Sequence, residues 1–226
     1  MEFQYTEVVP WGRNFDEYCR MFDLSPTDLS GKILGCGDGP ASFNSICNAQ
    51  GGRVTSVDPL YNLSKGEIAK RIDATFDTVI SQTKLNQEKF RWDRIKSVDE
   101  LGSIRMSAMQ EFLESYELGK EKGAYLPGAL PKLNFANDSF DIALSSHFLF
   151  LYTDNLGYQF HLDSILEMMR VAQEARIFPL LDFNARRSHF VDKIVDDLAS
   201  FTVEIREVDY EFQIGGNELR LNQKNK

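Results

Sequence analysis

Three short stretches hold residues whose types and spacing could do chemistry. Gly35-Cys36-Gly37-Asp38-Gly39-Pro40 places three glycines at alternate positions directly after the apolar run Lys32-Ile33-Leu34. Such a loop turns sharply from strand to helix and lets a ligand approach the main chain. Val57-Asp58-Pro59 sets a carboxylate at the end of the next apolar run, where it can accept from ribose hydroxyls. Ser145-Ser146-His147 closes the apolar run that begins at Phe140, and an imidazole there is a candidate general base; its bland reading is a strand cap. Phe148, Phe150 and Tyr152 follow and could line an aromatic pocket or pack the core. Arg13, in Trp11-Gly12-Arg13-Asn14, is either a surface arginine or the partner of a ligand carboxylate. His161 reads as surface or internally satisfied, and Cys36 has no nearby histidine to activate it.

In an open parallel sheet a ligand sits beyond the carboxyl ends of the strands. A dinucleotide would rest its pyrophosphate on the following helix N-terminus, where the Asp38 carboxylate competes for the same N–H groups. The third glycine of the dinucleotide fingerprint falls on Pro40. These residues therefore favour a ligand with positive charge and no phosphate, and S-adenosylmethionine is such a ligand. A nicotinamide-dependent oxidoreductase is the alternative enzyme class; a non-catalytic S-adenosylmethionine-binding regulator is the non-enzymatic one.

The elements that must position these residues follow from periodicity. Residues 1–30 are expected to form a helical arm, with Phe15, Tyr18, Cys19 and Phe22 at helical spacing and Ser25-Pro26-Thr27-Asp28 as a closing turn. Pro40 suits a first helical position, with the helix running through Phe43, Ile46 and Cys47 to Gly51-Gly52. Arg53–Val57 is the second strand. The segment 62–123 reads as a helical cap insertion opened by two capping boxes, Ser64 to Glu67 and Ser97 to Glu100. It is a lid in one reading and a dimerisation surface in the other, so a homodimer stays open. The sheet resumes at Ala124–Leu126, then Phe140–Ser146 and Ala175–Leu181, with helices at Phe160–Val171 and 189–199. Thr202–Phe212 alternates as a half-buried strand, turned by Gly215-Gly216 and returned by Glu218–Leu221. The expected fold class is α/β: one domain over 1–226, a doubly wound, seven-stranded, mostly parallel sheet with a terminal antiparallel hairpin.

Ile33-Leu34-Gly35-Cys36-Gly37-Asp38-Gly39 resembles motif I of class I S-adenosylmethionine-dependent methyltransferases. Val57-Asp58-Pro59 resembles their second motif, and Asn137–Ser146 the stretch into their fourth strand. The resemblance covers roughly residues 31–222 and leaves the insertion unmatched. The phrases GCGDGPASFN, SVDPLY and SSHFLFLY resemble an uncharacterised bacterial branch of the family. The resemblance implies that the Gly35, Gly37 and Gly39 backbone, with Cys36 and Asp38 in the same loop, passes the methionine half of the cofactor. It implies that Asp58 binds the ribose, that Pro59, Leu60 and Tyr61 flank the adenine, and that Gly128-Ala129-Leu130 covers its other face. Ser145, Ser146 and His147 would lie beneath the methyl group. The family's usual acid two residues before the first glycine is Ile33 here, and no acid follows the third strand. The Asn/Asp-Pro-Pro-Tyr/Phe tetrad is absent after the fourth strand, which disfavours methylation of DNA-base amino groups.

Composition sets outer bounds. The net charge of −9 opposes phosphate neutralisation, so a nucleic-acid partner is not expected; it favours small or cationic acceptors. Hydrophobic residues make up 42% of the chain, with 17 Phe, enough for a sizeable core. There is no apolar run of membrane-spanning length and no basic leader. Cys19, Cys36 and Cys47 read as reduced thiols of a cytoplasmic protein, and the spacing of cysteines and histidines predicts no metal site.

Overall fold

The computed structural model describes residues 9–216 and 218–223; the first eight residues of the expected arm lie outside them. Seven strands form one sheet: β1 (Lys32–Cys36), β2 (Arg53–Val57), β3 (Tyr125–Leu126), β4 (Phe140–Ser146), β5 (Ala172–Phe178), β6 (Phe201–Arg206) and β7 (Glu218–Gln223). Their spatial order is β3-β2-β1-β4-β5-β7-β6. The pairs among β1 to β5 are parallel, and β7 runs antiparallel to both β5 and β6. This is the expected seven-stranded, mostly parallel sheet. The chain winds outward from β1 through β2 to β3, then returns to place β4 on the other flank of β1. That reversal opens a crevice at the carboxyl ends of β1 and β4, the switch point where open α/β sheets bind ligands.

Both sheet faces are covered, which is why β1 and β4 are apolar without alternation. Ile33 packs with Tyr18, Phe22 and Phe43 on one face; Leu34 packs with Ile165, Met168 and Met169 on the other. The helices are α1 (Phe15–Met21), α2 (Pro26–Ser30), α3 (Phe43–Ala49), α4 (Lys65–Leu85), α5 (Val98–Glu121), α6 (Tyr158–Val171) and α7 (Val191–Asp197). Helices α4 and α5 pack on each other over a third apolar cluster, in which the rings of Tyr61, Phe112, Tyr116 and Tyr125 lie 5.1–6.0 Å apart by centroid. No helix among the described residues is long and apolar enough to cross a membrane.

Three sequence expectations need correction. Ser25-Pro26-Thr27-Asp28 opens the short helix α2, because Ser25 and Asp28 form a reciprocal capping box with Pro26 at the first position. Pro40 precedes α3 rather than starting it; the helix begins at Phe43. β6 ends at Arg206, so β6 and β7 are joined by a long connection instead of a tight hairpin. Val208, Tyr210 and Phe212 turn inward against the α1 cluster, and the Phe212 ring stacks on Phe90 at 4.9 Å.

Tyr210 turns inward to meet a buried ion pair. Arg105 Nη1 on α5 donates to Glu17 Oε2 on α1 at 2.6 Å, and the Tyr210 hydroxyl donates to Glu17 Oε1 at 2.8 Å. Burial alone would raise the Glu17 carboxyl, but the Arg105 charge and hydrogen bond outweigh it and hold Glu17 down to about 2. One cluster thus ties the N-terminal arm, the α4–α5 pair and the β6–β7 connection together.

Candidate active site

A cavity of about 600 Å³ occupies the crevice, within the roughly 300–1,000 Å³ typical of small-molecule sites. Its wall draws on every sequence stretch singled out above. The glycine loop contributes Gly37, Asp38 and Gly39, and β2 contributes Asp58, Pro59 and Leu60. Gly128, Ala129, Leu130, Ser146, His147 and Arg13 complete the set. Gly35, Cys36 and Ser145 are not part of the wall. Cys36 points into the core beside Leu34 and Val57, and Ser145 is fully buried within β4. Gly35 is overlain by Asp38: a Cβ there would lie 1.7 Å from Asp38 Oδ2.

The loop is fastened by its neighbours. Asp58 accepts from Gly39 N–H at 2.9 Å and from Leu60 N–H at 2.7 Å, so its carboxylate joins the loop to the end of β2. Burial pushes this carboxyl up, against those two bonds. The Tyr61 hydroxyl donates to Gly39 O at 2.8 Å. Gly37 and Gly39 adopt φ of 71° and 53°, which side chains other than glycine rarely tolerate. The Phe148 ring packs on Gly37, leaving a Cβ there only 3.0 Å of clearance.

Asp38 behaves differently from expectation. Its carboxylate accepts from the Tyr18 hydroxyl at 2.8 Å and from the Ser56 hydroxyl at 2.5 Å, so both oxygens are engaged inside the fold. The helix that would have presented its N-terminus begins only at Phe43, so Asp38 serves the loop's foundation. Burial raises its carboxyl to about 6, opposed by those two hydroxyls and assisted by the Asp58 charge.

Arg13 lies in the arm, whose backbone is pinned to the loop by Ser42 N–H donating to Arg13 O at 3.0 Å. Its Nη1 donates to Trp11 O at 2.9 Å, while its buried Nε has no partner. Burial first and the Arg105 charge second lower its pKa to about 10, so it remains a cation at neutral pH.

His147 takes φ 51° directly after β4, held by its N–H donating to Phe178 O at 2.6 Å. A non-glycine residue in that region stores about 1–3 kcal/mol of strain and is characteristic of functional sites. His147 Nδ1 lies 2.9 Å from Ser146 Oγ, and the Ser146 hydroxyl donates to Met21 Sδ at 3.8 Å. One tautomer of His147 donates Nδ1–H to Ser146 Oγ, whose own proton can then go to Met21 Sδ. That assignment leaves the Nε2 lone pair as the basic one. Burial, then the Arg13 and Arg105 charges, hold the imidazole well below its usual range, so it is neutral at physiological pH.

The rest of the wall is mostly apolar. Phe148 and Tyr152 line it as the sequence suggested, whereas Phe150 turns into the core. His161 is buried, its ring nitrogens 3.0 Å from Gly157 O and 2.9 Å from Leu149 O, which is a structural role. Sequence reasoning missed Val9, Pro10, Phe160, Phe183 and Arg71, which also line the cavity. Phe160 stands at the start of a helical pattern, where a core reading is the natural one. Nothing local marks Phe183.

The chain is 38% identical over 216 residues to the uncharacterized protein MJ0045 of Methanocaldococcus jannaschii, covering 95% of this chain and 96% of that protein. This relative is archaeal, and nothing ties the chain to a bacterial branch. No family model matches the chain. Solved structures with a similar outline include the PH0226 protein of Pyrococcus horikoshii, at 14% identity, 86% and 82% coverage and a TM-score of 0.46. A TehB-like SAM-dependent methyltransferase of Corynebacterium glutamicum gives 15%, 86% and 81%, and 0.46. Magnesium protoporphyrin IX methyltransferase of Synechocystis with bound SAM gives 13%, 88% and 73%, and 0.42.

Proposed function

Because the chain belongs to one family with the archaeal protein MJ0045, we propose for it a single activity suited to its cavity: methyl transfer from S-adenosylmethionine to a small molecule. The observation that carries this reading is Asp58, fixed by Gly39 N–H and Leu60 N–H at the mouth of a strained glycine loop. Each of its oxygens takes one hydrogen bond, so both keep a lone pair for a ribose diol. Arg13, a cation in the cavity wall, suits the cofactor's carboxylate. Gly128 packs closely on β2, since a Cβ there would lie 2.7 Å from Val57 Cγ1. Pro40 stands where the dinucleotide fingerprint has its third glycine, which disfavours a dinucleotide. The donor set therefore fits S-adenosylmethionine.

When bound, that cofactor supplies an electrophilic methyl group on a good leaving group. The protein's part is to position, to exclude water and to manage one proton. Asp58 and Arg13 would anchor the two polar ends of the cofactor, and Leu60, Ala129 and Leu130 its base. The neutral His147 would take the acceptor's proton at Nε2, with Ser146 holding the ring through Nδ1. The α4–α5 segment within 62–123 would serve as the cap, contributing Arg71 and Val79 to the wall.

Calorimetric titration tests the reading. S-adenosylmethionine and S-adenosylhomocysteine are expected to bind, and NAD(P) is not. Binding of NAD(P) with no response to either sulfur compound would overturn it.

A further inference from the structure

The part of the cavity wall not assigned to the cofactor includes Trp11, Phe148, Leu151, Tyr152, Phe160 and Phe183. These rings pack on one another: Tyr152 meets Phe183 edge to face at 4.7 Å, and Phe148 meets Phe160 at 6.3 Å. In this group the Tyr152 hydroxyl accepts from Val9 N–H at 2.9 Å. Neither sign of charge is served here. A cationic acceptor needs a carboxylate, and the two acids in the wall, Asp38 and Asp58, are engaged with hydroxyl and backbone donors. An anionic acceptor needs a cation; Arg13 stands beside the glycine loop, and Arg71 is exposed to solvent at the rim. An unpaired charge in such surroundings costs several kcal/mol or shifts its protonation. His147 lines the same cavity, and its Nε2 is a polar atom for an acceptor to approach.

We infer that the methyl acceptor is an uncharged aromatic hydroxyl compound, bound with its proton in place and methylated on oxygen. The inference rests on the methyltransferase reading and adds the substrate class. In the step, the O–CH3 bond forms as the S–CH3 bond breaks. The hydroxyl proton moves to His147 Nε2, and the products are an aryl methyl ether and S-adenosylhomocysteine. The imidazolium then returns its proton to solvent. The Tyr152 phenol in the same wall is itself pushed up to about 12, by burial first, with Asp58 adding to the rise while Val9 N–H and Arg13 oppose it. The sequence expectation was broader: the charge of −9 favours small or cationic acceptors.

The test uses the full chain saturated with S-adenosylhomocysteine, probed with 2-naphthol, 2-naphthylmethylamine and 2-naphthoate. The neutral hydroxyl compound is expected to bind at least tenfold more tightly than either charged analogue. With 4-nitrophenol as a chromophore, the bound dye is expected to keep the spectrum of its neutral form at a pH where free dye is ionised. Phe183→Ala is expected to weaken 2-naphthol about fivefold and leave the affinity for S-adenosylhomocysteine unchanged. Tighter binding of the amine or the carboxylate, or a phenolate spectrum on binding, would overturn the inference. So would S-adenosylhomocysteine binding with no response to any naphthyl probe. Absence of S-adenosylhomocysteine binding instead removes the methyltransferase reading itself, so the two failures are distinguishable.

Discussion

Replacing Asp38 by Asn should remove a specific slope from the pH dependence of stability. Asp38 is buried with its carboxyl raised from 3.8 to about 6. Between those values the folded chain holds a proton that the unfolded chain has released. Stability therefore falls as pH rises through this window, and the loss is complete above about pH 6. A shift of about two units corresponds to about 3 kcal/mol at ~1.4 kcal/mol per unit. Asn keeps the shape and cannot ionise. It also disturbs the hydrogen bonds from Tyr18 and Ser56, but that cost does not vary with pH. Urea unfolding of both proteins without cofactor, followed by tryptophan fluorescence, should show the difference between variant and wild type moving by about 3 kcal/mol in favour of the variant between about pH 4 and pH 7. Titrating groups remote from Asp38 are common to both chains and cancel; the Asp58 charge, which contributes to the Asp38 shift, is part of the measured difference. A difference that stays constant across that range would refute the assignment of a neutral-favouring environment to Asp38.

Further outcomes can be measured on the same protein. Asp58→Ala should weaken S-adenosylmethionine binding about 10- to 100-fold in calorimetry, the scale of losing a hydrogen bond to a charged acceptor, with unchanged affinity removing Asp58 from the site. His147→Gly should lower turnover about 10²- to 10⁴-fold while accepting φ 51° without strain, so its unfolding midpoint should stay at or above that of His147→Ala. Because the imidazole is held well below its usual range, wild-type turnover should stay flat as pH is lowered from about 8 to 6.5; a decline there would show that His147 titrates normally. Arg105→Met should destabilise by about 3–5 kcal/mol by stranding the Glu17 carboxylate, whereas Lys84→Ala, at an exposed pair with Asp99, should cost less than about 1 kcal/mol.

The sheet was legible because its signals are local: apolar runs ending on Gly35 and Asp58, glycines in alternation, and capping boxes at Ser64 and Ser97. The same local character placed Gly37, Gly39, Asp58 and His147 at one crevice, since strand ends in a parallel sheet converge by topology. What escaped was set by distant partners. Asp38 lines the cavity, yet its hydrogen-bond partners Tyr18 and Ser56, neither adjacent in sequence, take both its oxygens. The alternation from Thr202 to Phe212 fits a strand, yet Tyr210 leaves the sheet to reach Glu17, 193 residues away. The aromatic acceptor wall is assembled from the arm, the segment after β4, α6 and the loop after β5, so no single stretch of sequence announces it.

The Glu17–Arg105–Tyr210 cluster also sets an order of events during synthesis. Glu17 leaves the ribosome first, Arg105 follows 88 residues later, and Tyr210 another 105 residues after that. All residues of the cavity wall, the last being Phe183, have by then been made. The arm bearing Arg13 can thus be held early, by Ser42, Asp38 and Arg105, and gains the Tyr210 bond to Glu17 only when the last part of the chain arrives, at the slow end of contact formation. A nascent chain stalled after β5 would hold the glycine loop, Asp58 and the Glu17–Arg105 pair, with that carboxylate lacking its third partner.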